Sequence, residues 1–247
     1  MSRGSSVPLL TLTGVGKQYP ASDGGLRERL FPKHQGRWAL APLDLSLSTG
    51  QSIAVLGPNG SGKSTLLGIA AGTITPTVGR VERSIDPTLL FHVGTSFDEE
   101  LSGGENARLE LLLRGLSGAG LRSAIQEARE FSGVEEAWDE PLRTYSAGMR
   151  ARLAMASALA APGRLLLVDE ILAVGDAGFV AKCTDHFRRL RSQGCSIVFV
   201  SHSISLAKSL GDEAIVLEHG RTVVAGPIED GIAMYSSLMG FAPPAGA

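Results

Sequence analysis

The run from Ser52 to Ala71, S-I-A-V-L-G-P-N-G-S-G-K-S-T-L-L-G-I-A-A, restricts this chain's fold more than any other stretch. Ile53, Val55 and Leu56 read as a short buried strand. Gly57 to Ser64 fit the spacing G-x-x-x-x-G-K-[ST], and Thr65 onward carries apolar residues at helical intervals. Strand, glycine turn and helix in that order aim backbone N–H groups and a helix N-terminus at one point, which favours an anion. Gly57, Pro58, Asn59, Gly60, Ser61, Gly62, Lys63, Ser64 and Thr65 therefore form a candidate triphosphate cradle. Lys63 is the residue to neutralise β/γ-phosphate charge, and Ser64 offers its hydroxyl to Mg²⁺.

Two further segments carry chemistry that suits such a ligand. L-L-L-V-D-E, Leu165 to Glu170, is an apolar strand that delivers two carboxylates at its C-terminal end, where ligands bind in open α/β sheets. Asp169 can hold Mg²⁺, directly or through water, and Glu170 can polarise a water that attacks the γ-phosphate. His202 follows the next apolar strand, Ser196 to Val200, and so shares that edge, within reach of the γ-phosphate.

The remaining chain frames these segments. Residues 7–19 read as an opening strand ending near Tyr19, and Trp38 to Ser48 as a second; Tyr19 and Trp38 are both candidates to stack on a base. Between them, residues 20–37 form a basic insert with a short helix over L-R-E-R-L-F. Residues 75–83 read as a turn and a strand, and 88–94 as another strand. Helical spacing dominates from about 96 to 160, as an insert in the α/β core. A crossover helix over 177–192, a hairpin turning at His219-Gly220 and a last helix over 228–239 complete the core, and a disordered Pro/Ala/Gly tail is expected after Phe241. A formal net charge of −2 is not that of a nucleic-acid binder. Cys183 and Cys195 match no metal spacing or disulfide framework, and no run reaches the 18 or more apolar residues of a membrane span.

G-P-N-G-S-G-K-S, Y-S-A-G-M at Tyr145 to Met149, L-L-L-V-D-E and V-S-H together resemble the ATP-binding subunits of ABC transporters, over residues from about 7 to 230. The resemblance implies a P-loop α/β fold with a mixed central sheet, an antiparallel β part and an inserted helical subdomain at about 96–160, all within a nucleotide-binding domain spanning 1–240. It implies ATP with Mg²⁺, a homodimer, and Ser146 and Gly148 capping the ATP held by the opposite subunit. L-S-G-G-E at Leu101 to Glu105 looks closer to the family's usual signature. Its position argues otherwise: Ser146 precedes Asp169 by 23 residues and Ser102 by 67, so Ser102 is expected to start a helix of the subdomain.

Three departures narrow the resemblance. D-E-I-L-A-V-G-D replaces D-E-P-T and puts Asp176 where the family contacts the opposite subunit. The signature reads Y-S-A-G-M, and the usual Gln before the helical insert is missing, with His92, Val93 and Gly94 nearest its place. Together with the insert at 20–37 they resemble the ATPases of polysaccharide exporters. That implies a membrane permease partner meeting the helical subdomain near 95–116, a lipid-linked polysaccharide as cargo and a peripheral position on the cytoplasmic face of the cell membrane. The sequence ends at Ala247, so recognition of the glycan end is expected to lie elsewhere. The competing readings are another cargo (a drug, lipid or peptide), or an ATP-dependent regulator with a weakened site.

Overall fold

A computed structural model describes residues 8–19, 37–90, 94, 96–161, 163–169 and 176–241. The helix expected in the basic insert, His92, Val93, Glu170 and the 242–247 tail lie outside the described residues. Strands β1 (Leu10–Tyr19) and β2 (Arg37–Leu47) pair antiparallel. After β3 (Ser52–Leu56) and the helix α1 (Lys63–Ala71), β4 (Val78–Arg83) joins the other side of β1, giving a sheet in the order β2-β1-β4.

A six-stranded sheet holds the centre. Its members are β3, β5 (Thr88–Leu90), β6 (Leu165–Asp169), β7 (Ser196–Val200), β8 (Glu213–Glu218) and β9 (Arg221–Pro227), in the order β5-β6-β7-β3-β8-β9. Five strands run parallel. Only β9 is antiparallel, returning from β8 through His219 (φ 48) and Gly220 (φ 78), the left-handed pair a two-residue turn requires.

β3 and β7 are buried along their whole length, so their successive residues feed two different cores. Ile53, Val55, Val198 and Val200 face α1 and the antiparallel sheet, packing with Leu66, Leu67, Leu12 and Leu45. Ala54, Leu56, Ile197 and Phe199 face the opposite way, onto α5 (Ala177–Ser192), α6 (Ile204–Leu210) and α7 (Ile228–Met239). The sheet is therefore sandwiched, and its ends are left to carry the chemistry. Cys183 and Cys195 sit inside the second core, where burial pushes their thiols up to about 12 and about 11, so they are core thiols at neutral pH.

The helical stretch forms α2 (Gly103–Leu113), α3 (Gly118–Ser132) and α4 (Ala147–Leu159), inserted between β5 and β6. Ser102 starts α2 through a reciprocal capping box with Glu105. The two glycines of L-S-G-G-E have a packing cause: a Cβ on Gly103 would overlap the Tyr145 hydroxyl, and one on Gly104 the Trp138 indole. That run is a helix start built for close packing. The short helix α6 was not foreseen from the sequence. Its seven residues, started by the Ser203 side chain accepting from Leu206 N, are too few for a periodic signal. No helix among the described residues is long and apolar enough to cross a membrane.

Candidate nucleotide-binding site

The strand ends align as the spacing predicted. Val55 of β3 and Asp169 of β6 are both in register with Val200 of β7, and Ser201 N donates to Val55 O at 3.4 Å. With strands about 4.8 Å apart, Asp169 lies on the order of 10 Å from the start of the glycine loop, on the same edge of the sheet. His202 is two residues past the end of β7, between them.

The loop itself is held open by its glycines. Gly57, Gly60 and Gly62 have φ of 146, 75 and 105, and a Cβ on Gly62 would stand 2.6 Å from the Ala39 carbonyl of β2. Gly62 is also the N-cap of α1 and contributes no side-chain acceptor there. A helix start without a side-chain cap suits an outside anion. Strand β2 and the β8–β9 turn wall the loop from behind: Ala41 N donates to Gly220 O at 2.6 Å, and Gly220 N to Ser61 O at 3.1 Å. Ser61 Oγ is buried and has no hydrogen-bond partner among the described residues, a polar atom set in the cradle wall.

Lys63 is 5% exposed, and its ammonium donates to the carbonyls of Gly57 (2.9 Å) and Pro58 (3.0 Å). These bonds fold the charge back over the loop, at the point where a phosphate chain would lie. Pro58 is half-buried, Asn59 and Gly60 form an exposed lip, Ser64 is exposed on the first turn of α1, and Thr65 beside it is half-buried. No group of three or more His, Cys, Asp or Glu side chains among the described residues could hold a metal on its own. One hydroxyl from Ser64 and one carboxylate from Asp169 fit Mg²⁺ delivered with phosphates, which keeps most of its shell as phosphate and water oxygens.

The other expected residues divide into near and far. His202 is exposed, and its Nδ1 lies 3.0 Å from the Tyr235 hydroxyl of α7, a neighbour 33 positions away that no sequence pattern signalled. Tyr19 is 46% exposed with Lys17 Nζ 5.2 Å from its ring centroid, whereas the Trp38 ring lies over Gly16 of β1. Gly94, nearest the place of the missing Gln, packs close to Ala154 of α4.

Ser146 is the N-cap of α4, its exposed hydroxyl accepting from Met149 N at 3.2 Å, with Gly148 half-buried in the first turn. The neighbouring Arg150 bonds Glu99, and Tyr145 donates to Ala137 O from a buried position that raises its phenol above the ordinary range. These contacts all lie within the helical unit; none involves the same chain's glycine loop. Asp176 starts α5, where the Phe179 amide holds its exposed carboxyl below the usual range, with Arg152 Nη1 3.9 Å away.

Known proteins with similar sequences and folds point to one family. A family model described as ABC transporter matches residues 40–173. The O-antigen export system ATP-binding protein RfbB of Klebsiella pneumoniae is 36% identical over 243 residues, covering 94% of this chain and 99% of that protein. The teichoic acids export ATP-binding protein TagH of Listeria monocytogenes serotype 4b is 34% identical over 207 residues, 84% of this chain and 62% of that one. Among solved structures, the ATP-binding cassette MJ0796, a dimer in a post-hydrolysis state with ADP and Pi, superposes with a TM-score of 0.73 at 24% identity. That match covers 89% of this chain and 98% of the other. At that identity the likeness concerns the fold, an α/β P-loop core with an antiparallel sheet and inserted helices.

Proposed function

Because the chain belongs to the ABC transporter family, as an ATP-binding subunit, we propose that it hydrolyses ATP to drive export of a lipid-linked polysaccharide through a separate membrane permease. The observation that carries the cargo is the nearly end-to-end likeness to an O-antigen export subunit, to which the teichoic-acid likeness adds a second polymer of the same kind.

In this reading ATP lies along the loop from Gly57 to Thr65, with its phosphates on the first amides of α1 and the adenine beside β1 and β2. Tyr19 suits the stacking role better than Trp38, because its ring is more open while Trp38 covers Gly16. Lys63 exchanges its two loop carbonyls for β/γ-phosphate oxygens, and Ser64 and Asp169 hold the magnesium. Magnesium, when bound with the nucleotide, neutralises charge on the β- and γ-phosphates. Glu170, the residue after Asp169, takes a proton from the attacking water, and His202 offers an N–H to the γ-phosphate.

Two copies are needed to close this site. The exposed first turn of α4 has its partners in the helical unit, and α4 is about 20 Å long, so Ser146 and Gly148 are free to meet the nucleotide of a second copy. Asp176 joins the same face. Hydrolysis then reopens the pair, a conformational step that can pull on the permease. Leu109, Leu112 and Leu113 of α2, exposed by 39%, 43% and 69%, supply an apolar surface for that partner within the stretch 95–116.

The test is to replace the chain in its own cell by Glu170→Gln and to locate newly made lipid-linked glycan. The expected result is accumulation on the cytoplasmic leaflet and loss from the surface. Unchanged surface glycan, alongside ATP hydrolysis by the purified wild-type chain, would refute the cargo while leaving the ATPase reading intact.

A further inference from the structure

His202 is exposed at the edge of the sheet, yet one of its ring nitrogens is already engaged by a buried residue of α7. Nδ1 lies 3.0 Å from the hydroxyl of Tyr235, and Tyr235 is 1% exposed, in the third turn of α7. The phenol ring is wedged in the core with Ile228, Ile232 and Phe199, and Phe241 covers it edge-on at 6.4 Å between centroids. A buried ring of this size has little rotamer freedom, so its hydroxyl is a fixed point against which the imidazole is set.

We infer that Tyr235 is a positioning residue, which fixes the tautomer and ring angle of His202 so that Nε2 carries the proton toward the γ-phosphate. The inference rests on the reading of His202 given above. Phosphate oxygens accept and do not donate, so a neutral imidazole that contacts them must hold its proton on Nε2 and leave Nδ1 bare. A phenol is protonated at neutral pH and can donate to that bare nitrogen. The alternative tautomer, with Nδ1 donating to the Tyr235 oxygen, would turn a lone pair toward the phosphate and repel it. Tyr235 thus acts on the reaction through His202, as the partners of metal-bound histidines act through the ring they orient.

Tyr235→Phe keeps the ring and removes only the hydroxyl. The expected result is a fall in kcat of about tenfold with KM for ATP changed by less than about twofold, since one tautomer-fixing hydrogen bond of ordinary strength is lost. In ¹⁵N spectra of the ring nitrogens, assigned by comparison with His202→Ala, the wild-type pattern of a protonated Nε2 and an accepting Nδ1 should become a mixture of tautomers. Unchanged kcat with an unchanged tautomer would overturn the inference, as would a rise in kcat, which would make the bond a latch that withholds the histidine. His202→Ala separates this failure from that of the underlying reading. If His202→Ala hydrolyses ATP at the wild-type rate, the role of His202 itself is wrong; if it is inactive while Tyr235→Phe is unaffected, only the positioning role falls.

Discussion

Gly62→Ala tests whether the wall behind the nucleotide loop is as rigid as its contacts imply. Gly62 holds φ at 105, outside the range a Cβ tolerates comfortably, which costs an alanine about 1–2 kcal/mol. A Cβ there also lies 2.6 Å from the Ala39 carbonyl, whereas nonbonded carbon and oxygen sit well beyond 3 Å, so β2 or the loop must yield by about 0.6 Å. β2 is poorly able to do so: Leu40 is fully buried, and Ala41 is tied to Gly220 by a 2.6 Å hydrogen bond. Overpacking at such a place adds about 1–3 kcal/mol, for a sum of about 2–5 kcal/mol. Gly60→Ala is the control, since Gly60 has φ of 75 but open space where its Cβ would go, and only the backbone cost applies. At about 2–4 °C per kcal/mol for a chain this size, the clash alone should lower the melting temperature of Gly62→Ala by about 2–12 °C beyond that of Gly60→Ala. Nucleotide-free thermal melts of the two variants read this directly, and equal melting temperatures would refute the argument that β2 forms a fixed wall.

Two more perturbations address the helix starts and the buried imidazole. Ser102→Ala and Ser146→Ala each remove an N-cap and should each lower stability by about 1 kcal/mol, seen as a similar drop in melting temperature. Only Ser146→Ala should also lose ATP-dependent dimerisation and turnover; an equal loss in Ser102→Ala would reverse the assignment of the signature. Burial first, and then the Arg189 guanidinium 3.1 Å from Nδ1, lowers the pKa of His186 of α5, against the smaller opposing pull of the Leu159 carbonyl. Its pKa is lower in the folded state than in the unfolded chain, so the unfolded chain binds the extra proton first. Stability is therefore full above about pH 6.5 and falls as pH drops through that range. His186→Leu should flatten the decline in melting temperature between about pH 7 and pH 5, and an identical slope in both proteins would show that other groups govern it.

Much of the site could be read before any coordinates, because its parts are local. Strand, glycine loop and helix lie within twenty consecutive residues, and L-L-L-V-D-E carries its own strand signal and its own carboxylates. The preference for Y-S-A-G-M over L-S-G-G-E came from its spacing to the D-E strand in the family pattern, and the capping box on Ser102 with the packed rings over Gly103 and Gly104 gives the second run a packing cause of its own. The hairpin turn at His219-Gly220 and the last helix were legible for the same reason: a turn pair and a helical period are short-range signals.

What the sequence by itself determined is the set of candidate reactive groups and the elements that carry them, since dihedral preference and periodicity act over a few residues. Tertiary structure alone decided which distant groups meet. The register of β6, β7 and β3 brings Asp169 and His202 level with the loop, the β8–β9 turn and β2 close behind it, and a tyrosine 33 residues from His202 engages its ring. Such meetings depend on packing two faces of one sheet at once, and no short stretch of chain encodes that.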